Sequence, residues 1–426
     1  MTIDELVRRT LRDWSEEARD PADLASRALG RRRRSRVRTF AVVAGATAAV
    51  VAGAFAVPGL VAGGVPGPDG TEPAVAVATG SDPSTAPDPS AGTRETLGDA
   101  DSATPETLVA AGDTAVYAYY TWRNEKVVGN REARRLTWYL HDGDSGTYEK
   151  TPWAWLDPAP GGESAAVLES IPANRVGVVT VRGGEVRWFD LEHPAGALSW
   201  SPDGTRLLVT NYDDDPDQVE VTGKDSWNVV PATRTGFTLI DPAAGRQDFR
   251  PIAAGDSGSV SRRDFFWNAD GTLIWEWNNG APSDGGPDRN PRKFYGPDGA
   301  PRSVPPDDSV GRGQRQQAGL SPGGRWLASD SPDRTAVTAL KDMRTGEVRP
   351  LKPIDGYWIE QLAAWADDEH VIAWACELKG TDGCVKSEFR NRLLLVDVQG
   401  GAVVPLTGYR ENSQRPGAWV PVFSRR

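Results

Sequence analysis

The sequence predicts an all-β domain held outside the cell by a single membrane span, on three observations. From about residue 113 onward the apolar runs are short, rich in Val, Tyr, Trp and Leu, and broken by Asp-Gly, Gly-Gly and Pro turns, without a long amphipathic helix. One tight turn between two apolar strands recurs several times. Phe40 to Val57 is an uncharged run of Ala, Val, Gly and Phe interrupted only by Thr47.

Residues 1–38 read as a cytoplasmic tail of two short helices. Thr2 caps the first, with Glu5 as its capping-box partner, and Ile3, Leu6, Val7, Leu11 and Trp14 then share one face. Asp20-Pro21 starts the second helix and Gly30 ends it. The apolar face is either a docking site for a cytoplasmic regulator or a segment lying on the membrane surface. Arg31, Arg32, Arg33, Arg34, Arg36 and Arg38 follow it directly.

Residues 39–61 form the span. At about 1.5 Å of rise per residue, eighteen residues just cross a hydrocarbon core, and Leu60 and Val61 extend the run. The arginines before it hold the N-terminus in the cytoplasm and send the remainder outside. Ala54-Phe55-Ala56 resembles a small-x-small cleavage site, so a removable signal is the rival reading; the long, helix-forming segment before the span favours an anchor. Gly45, Ala49 and Gly53 recur every four residues, a spacing that lets two such helices approach closely, although an Ala-rich span produces such matches by chance.

Residues 62–112 contain Pro66, Pro68, Pro73, Pro83, Pro87 and Pro89 among Ser, Thr, Gly, Ala and Asp. With few large apolar side chains to offset ordering entropy, this stretch reads as a disordered linker. Charge divides at the span. Residues 1–38 hold eleven Arg and no Lys against seven acidic residues, a net +4, so residues 39–426 carry −15 of the overall −11. A basic tail suits anionic inner-leaflet lipid. The exterior part has no basic stripe, which argues against nucleic acid as a partner.

Residues 113–426 form the exterior domain. Val116 to Trp122, Leu136 to Leu140, Val176 to Val181 and Val186 to Phe189 suit strands, with Gly183-Gly184 as a hairpin turn. Leu198-Ser199-Trp200-Ser201-Pro202-Asp203-Gly204 recurs as Phe266-Trp267-Asn268-Ala269-Asp270-Gly271 and as Gly319-Leu320-Ser321-Pro322-Gly323-Gly324. A fourth copy, Ala364-Trp365-Ala366-Asp367-Asp368, has lost its glycine. A second signal, an apolar-x-Asp turn, occurs at Asp142, Asp190, Asp241, Asp342 and Asp397, with a weak copy at Asp298. Their mean spacing of about 51 residues fits one four-stranded unit each.

These turns resemble the blade repeats of TolB-like and WD-repeat-like β-propellers, and the missing strand-end Trp-Asp dipeptides favour the TolB-like side. The resemblance covers roughly residues 113–426 and implies a propeller of six four-stranded blades, or seven, since the first two lack the full turn. It is nearly silent on function.

Sixteen Trp are present, many at strand positions (Trp138, Trp188, Trp200, Trp267, Trp275, Trp365, Trp374), where they fill space between blades. Trp277 with Asn278 and Asn279 is the local support for a glycan-binding rim instead. Cys376 and Cys384 flank Gly380 and Gly383 and form either a hairpin-tip disulfide or two buried thiols. Gly255-Asp256-Ser257-Gly258 lacks a His and Asp context, and no Gly-x-Ser-x-Gly elbow occurs. Asp213-Asp214-Asp215-Pro216-Asp217 lacks calcium-loop spacing and reads as a solvated insertion. No catalytic residue, cofactor or metal site is therefore expected, and the chain is expected not to be an enzyme. The expected function is binding or scaffolding of an exterior protein, peptide or glycan. The alternative is transmembrane signalling, with a layout resembling a membrane-bound anti-sigma factor.

Overall fold

The computed structural model describes residues 95–224, 226–252, 262–277, 292–305, 317–329, 338–351, 354–378, 391–410 and 415–426. Every regular element in them is a β-strand, so the protein is all-β, with several antiparallel sheets. The cytoplasmic tail with Ile3, Leu6, Val7, Leu11 and Trp14, and the span with Gly45, Ala49 and Gly53, lie outside the described residues. Among the described residues no helix is long and apolar enough to cross a membrane.

The first sheet is built on a long hairpin, Thr114–Val128 against Arg131–Asp142, with Tyr120 opposite Trp138. Thr147–Lys150 extends it on one side. On the other side Val420–Arg425 pairs with Thr114–Val128, from Thr114↔Arg425 to Tyr120↔Val420. The C-terminal strand thus completes the sheet that the first long strand begins.

The second sheet runs Trp155–Pro158, Ser164–Leu168, Ala173–Thr180, Val186–Trp200, Leu207–Tyr212, Arg234–Asp241 and Arg246–Pro251, each antiparallel to the next. Val186–Trp200 serves two four-stranded meanders. Its first half, Val186 to Asp190, pairs with Ala173–Thr180, and its second half, Ala195 to Trp200, pairs with Leu207–Tyr212. Further meanders follow: Phe266–Trp267 to Pro301–Arg302, Trp326–Ser329 to Val348–Pro350, and Tyr357–Trp365 to Val403–Pro405.

The repeated turns have one geometry. The N–H of Ser201, Asn268 and Ser321 donates to the carbonyl of Arg206, Leu273 and Trp326 at 2.8, 2.9 and 2.7 Å. The side-chain oxygen of the same three residues accepts the N–H of Arg206, Leu273 and Trp326. Gly204, Gly271 and Gly324 sit at φ of 70, 71 and 73°, which Gly adopts without a Cβ clash. The glycine-less copy is held by Asp367, whose carboxylate accepts the N–H of Glu369 and His370.

The apolar-x-Asp turns hold at Asp142, Asp241, Asp342 and Asp397, and Asp190 departs from them. Backbone N–H groups of Asp144, Ala244 and Arg344 keep the carboxyls of Asp142, Asp241 and Asp342 below the usual range. Each of these turns ends on a positive-φ glycine: Gly146, Gly245, Gly346 and Gly400. Asp190 is followed by Leu191-Glu192-His193, without that glycine, and the strand continues through it to Trp200. The linker expected over 62–112 also ends early. Leu97 bridges Ala110, Asp99 bridges Thr407, and Ala110–Ala111 pairs with the start of the first long strand.

The central strands, such as Leu207–Tyr212 and Trp326–Ser329, are buried along their whole length, so both of their faces pack into apolar clusters. Leu207, Leu208, Ile240 and Ile274 are wholly buried, each contributing about 1.5–3 kcal/mol. The tryptophans join units together. The indole N–H of Trp267 donates to Ser199 O at 3.1 Å, that of Trp365 to Gly319 O at 3.0 Å, and that of Trp138 to Ala154 O at 3.2 Å.

Candidate functional site

Where Leu207–Tyr212 ends and Arg234–Asp241 begins, the chain makes an excursion through Gln218–Gly223 and Ser226–Val229. That excursion pairs with the tip of the long hairpin, Gln218 opposite Ala133 and Glu220 opposite Arg131. It brings the Asp213–Asp217 run over Arg262-Arg263-Asp264, which precede Phe266–Trp267. The aspartate run is therefore only half the solvated insertion expected: Asp213 and Asp214 are exposed, and Asp215 and Asp217 are not. Asp215 pairs with Arg135 at 2.7 Å and Asp217 with Arg262 at 2.6 Å, their side chains only 9% and 12% exposed. Solvating Asp217 would strip the buried guanidinium of Arg262 of one of its two acidic partners.

Arg262 is fully satisfied. Its Nε and Nη2 donate to the two oxygens of Asp217 at 2.7 and 2.6 Å. Its Nη1 donates to Gly196 O at 3.0 Å and to Asp264 at 3.1 and 3.2 Å. Burial alone would lower its pKa, but Asp217 and Asp264 outweigh burial and hold the guanidinium well above its ordinary value. Burial raises the Asp264 carboxyl, with Arg262 offsetting part of the rise. The Tyr212 hydroxyl donates to Asp264 Oδ1 at 3.0 Å and accepts the Arg263 N–H at 2.6 Å.

A second buried pair lies alongside. Arg234 Nη1 donates to Glu276 at 2.6 Å and to Arg263 O at 3.0 Å, and Tyr295 donates to the other Glu276 oxygen at 2.6 Å. Across the site, guanidiniums rest on aromatic faces. Arg134 lies 4.3 Å from the Trp122 centroid, Arg262 4.6 Å from Trp155, Arg234 4.1 Å from Phe265 and Arg410 3.5 Å from Trp374. A stack of this kind fixes the plane of the guanidinium, and at Arg262 and Arg234 it aims the N–H edge at Asp217, Asp264 and Glu276.

Asp157 is separate from this network. It is 3% exposed, accepts the Trp200 N–H at 2.7 Å, and is pushed up by burial to about 7.

Of the residues singled out from sequence, Cys376 is buried in His370–Glu377 and carries no free thiol, while Cys384 lies outside the described residues. Trp277 is half-buried beneath Arg292, and Asn278 and Asn279 lie outside the described residues, as does Gly255 to Gly258. Among the described residues no group of three or more His, Cys, Asp or Glu is placed to hold a metal ion. Sequence reasoning missed Arg134, Arg234, Arg262, Asp264 and Arg410. The available signal was a dense charge cluster, Arg262-Arg263-Asp264, set directly against the apolar Phe265-Phe266-Trp267.

No protein-family model matches the sequence, and no curated protein matches it. Among solved structures, the chain is similar to TolB from Acinetobacter baumannii, at 15% identity and a TM-score of 0.38, over 73% of this chain and 66% of that one. It is similar to a TolB from Agrobacterium tumefaciens at 12% identity and a TM-score of 0.35, over 65% of this chain and 92% of that one. It is also similar to an oligogalacturonate lyase in complex with manganese, at 13% identity and a TM-score of 0.38, over 74% of this chain and 86% of that one. The structural neighbours thus include TolB proteins, the β-propeller domain of a protease from Pyrococcus furiosus, a lyase and peptidases. This corrects the expectation that the chain is not an enzyme. A catalytic site needs a few side chains converging from distant loops, so missing local motifs do not exclude one.

Proposed function

We propose that the chain is a membrane-anchored binding module whose exterior domain is a β-propeller of six four-stranded blades. The repeated turns, the strand shared between two meanders and the pairing of Val420–Arg425 with the first long strand support the propeller reading. The uncharged run behind an arginine cluster supports the anchor. The observation on which the binding reading rests is the aromatic-backed arginine cluster, gathered from strands far apart in the chain. Its ligand is a protein, peptide or glycan outside the cell, and the lipid bilayer contacts residues 39–61.

In intact wall-stripped cells, added protease should digest the exterior domain and leave the N-terminal tail protected. Release of the whole domain with a new N-terminus near Val57 would overturn the anchor. Crosslinking of the full-length chain in cells should capture an exterior partner, and loss of the crosslink with an Arg134→Gln variant that keeps its urea midpoint would support a contact on the arginine face.

The face Ile3, Leu6, Val7, Leu11 and Trp14 favours a second reading, in which the tail holds a cytoplasmic regulator and Gly45, Ala49 and Gly53 pair the spans. Replacing Leu6, Leu11 and Trp14 with Asp should then abolish a cytoplasmic phenotype while the exterior domain stays folded. Wild-type behaviour of that variant would end this reading.

Cys376 pairs with Cys384 across the Gly380 to Gly383 turn. Closing so short a loop stabilises by roughly 2–3 kcal/mol in the chain-entropy model. Protein unfolded without reductant should take up no alkylating reagent, and uptake at both cysteines would refute the pairing.

A further inference from the structure

Arg234 has an unused edge. Its side chain is 2% exposed, and its Nη1 donates to Glu276 Oε2 at 2.6 Å and to Arg263 O at 3.0 Å. Its Nε and Nη2 are buried and meet no hydrogen-bond acceptor among the described residues. Arg262 shows what such an edge takes, since its own Nε and Nη2 donate to the two oxygens of Asp217 at 2.7 and 2.6 Å. A buried, charged donor pair without an acceptor is costly, and an anion that reaches it removes that cost.

The acids nearby are already committed. Glu276 is 2% exposed; its Oε2 accepts from Arg234 and its Oε1 from Tyr295 at 2.6 Å. Asp217 and Asp264 are bound to Arg262. Positive charge meanwhile accumulates around Glu276. Burial lowers the guanidinium of Arg263, Glu276 works against that, and the like charge of Arg234 adds to it, so the two guanidiniums lie within reach of each other. Lys293 is opposite Glu276 on the next strand and also acts on its carboxylate. Arg234, Arg263 and Lys293 thus all bear on one carboxylate whose two oxygens are taken.

The cluster stands where strands begin and end. Arg234 opens Arg234–Asp241, Glu276 is the last but one residue of Ile274–Trp277, Lys293 is second in Arg292–Tyr295, and Arg263 just precedes Phe266–Trp267. Lys293 is exposed, so the cluster reaches the surface there. Phe265 holds the plane of the Arg234 guanidinium from 4.1 Å, which fixes the direction of the unused edge.

We propose that the Nε–Nη2 edge of Arg234, with Arg263 beside it, binds a small oxyanion: a carboxylate or inorganic phosphate. Two parallel N–H groups match two oxygens of one anion, and both bonds are charge-assisted. The site goes beyond the binding reading above, because it needs no exterior partner.

The test uses the full-length protein in detergent, titrated with sodium acetate or with sodium phosphate at constant pH and at an ionic strength held with sodium chloride. Tryptophan fluorescence and the melting temperature are the readouts. A saturable fluorescence change is expected with one anion or both, with a melting temperature that rises as the site fills. Acetate alone as the effective anion identifies a carboxylate site, and phosphate alone identifies a phosphate site. Arg234→Lys keeps a positive charge beside Glu276 but has no forked edge, and should weaken the effect about tenfold or more. Arg123→Gln, at an exposed pair with Glu125, should leave it unchanged.

A wild-type protein that shows no saturable change with either anion overturns the proposal. So does a folded Arg234→Lys protein that titrates like wild type, since the change is then a general salt effect. If Arg234→Lys does not fold, Arg263→Gln decides: weakened binding supports the site, and wild-type binding overturns it.

Discussion

Replacing Arg262 with Met is expected to cost about 3–5 kcal/mol of stability at neutral pH, the usual consequence of removing one member of a buried ionic group. Typical domains have about 5–15 kcal/mol in all, so the midpoint of urea unfolding should move visibly. The loss arises because Asp217 and Asp264 remain, with side chains 12% and 3% exposed and five donated contacts gone. Asp264 supplies a pH signature. Its carboxyl is already raised by burial, and Arg262 is the main influence restraining that rise. Without Arg262 the folded state holds the proton more tightly than the unfolded state, so the deficit should shrink as the pH is lowered. Removing Arg123 from its pair with Glu125, whose side chains are 64% and 54% exposed, should cost no more than about 1 kcal/mol. Equal small losses in the two variants would show that the Arg262 cluster is not a structural centre.

The strands and turns were legible because their causes are local. Ser201, Asn268 and Ser321 accept N–H groups five residues along the chain, and the glycine that takes positive φ stands beside them. Where the local rule was incomplete the reading erred. Asp190 matches the strand-end pattern but lacks the glycine that lets the chain reverse, so Val186–Trp200 runs straight on and bridges two meanders. The arginine site was illegible for the opposite reason. Arg262 and Asp217 are 45 residues apart and Arg234 and Glu276 are 42 apart, so no window of sequence holds both members of a pair. An isolated run such as Asp213–Asp217 reads as solvated until the pairing of Gln218–Gly223 with the long hairpin is known. Long-range strand pairing, not composition, decides which charges are buried.

That distinction also sets apart Asp157, which lies in an apolar strand and receives one hydrogen bond, from the Trp200 N–H. Burial raises its carboxyl from 3.8 to about 7. Between those two values the folded protein holds a proton at Asp157 that the unfolded chain has released. Stability through this group therefore falls as the pH rises from about 4 to about 7, and is constant above that. The full change is on the order of 4 kcal/mol, at about 1.4 kcal/mol per unit. Asp157→Asn keeps an oxygen for the Trp200 N–H and never ionises. Its stability relative to wild type should rise by roughly that amount between pH 4.5 and pH 8, read from urea midpoints at several pH values. Asp142, Asp241, Asp298 and Asp342 have depressed carboxyls, whose stabilisation is lost only as the pH falls below the ordinary carboxylate range. They are common to both proteins and cancel in the difference. A difference that stays flat from pH 4.5 to 8 would mean that Asp157 is ionised in the fold, with water or a cation reaching it between the strands Trp155–Pro158 and Val186–Trp200.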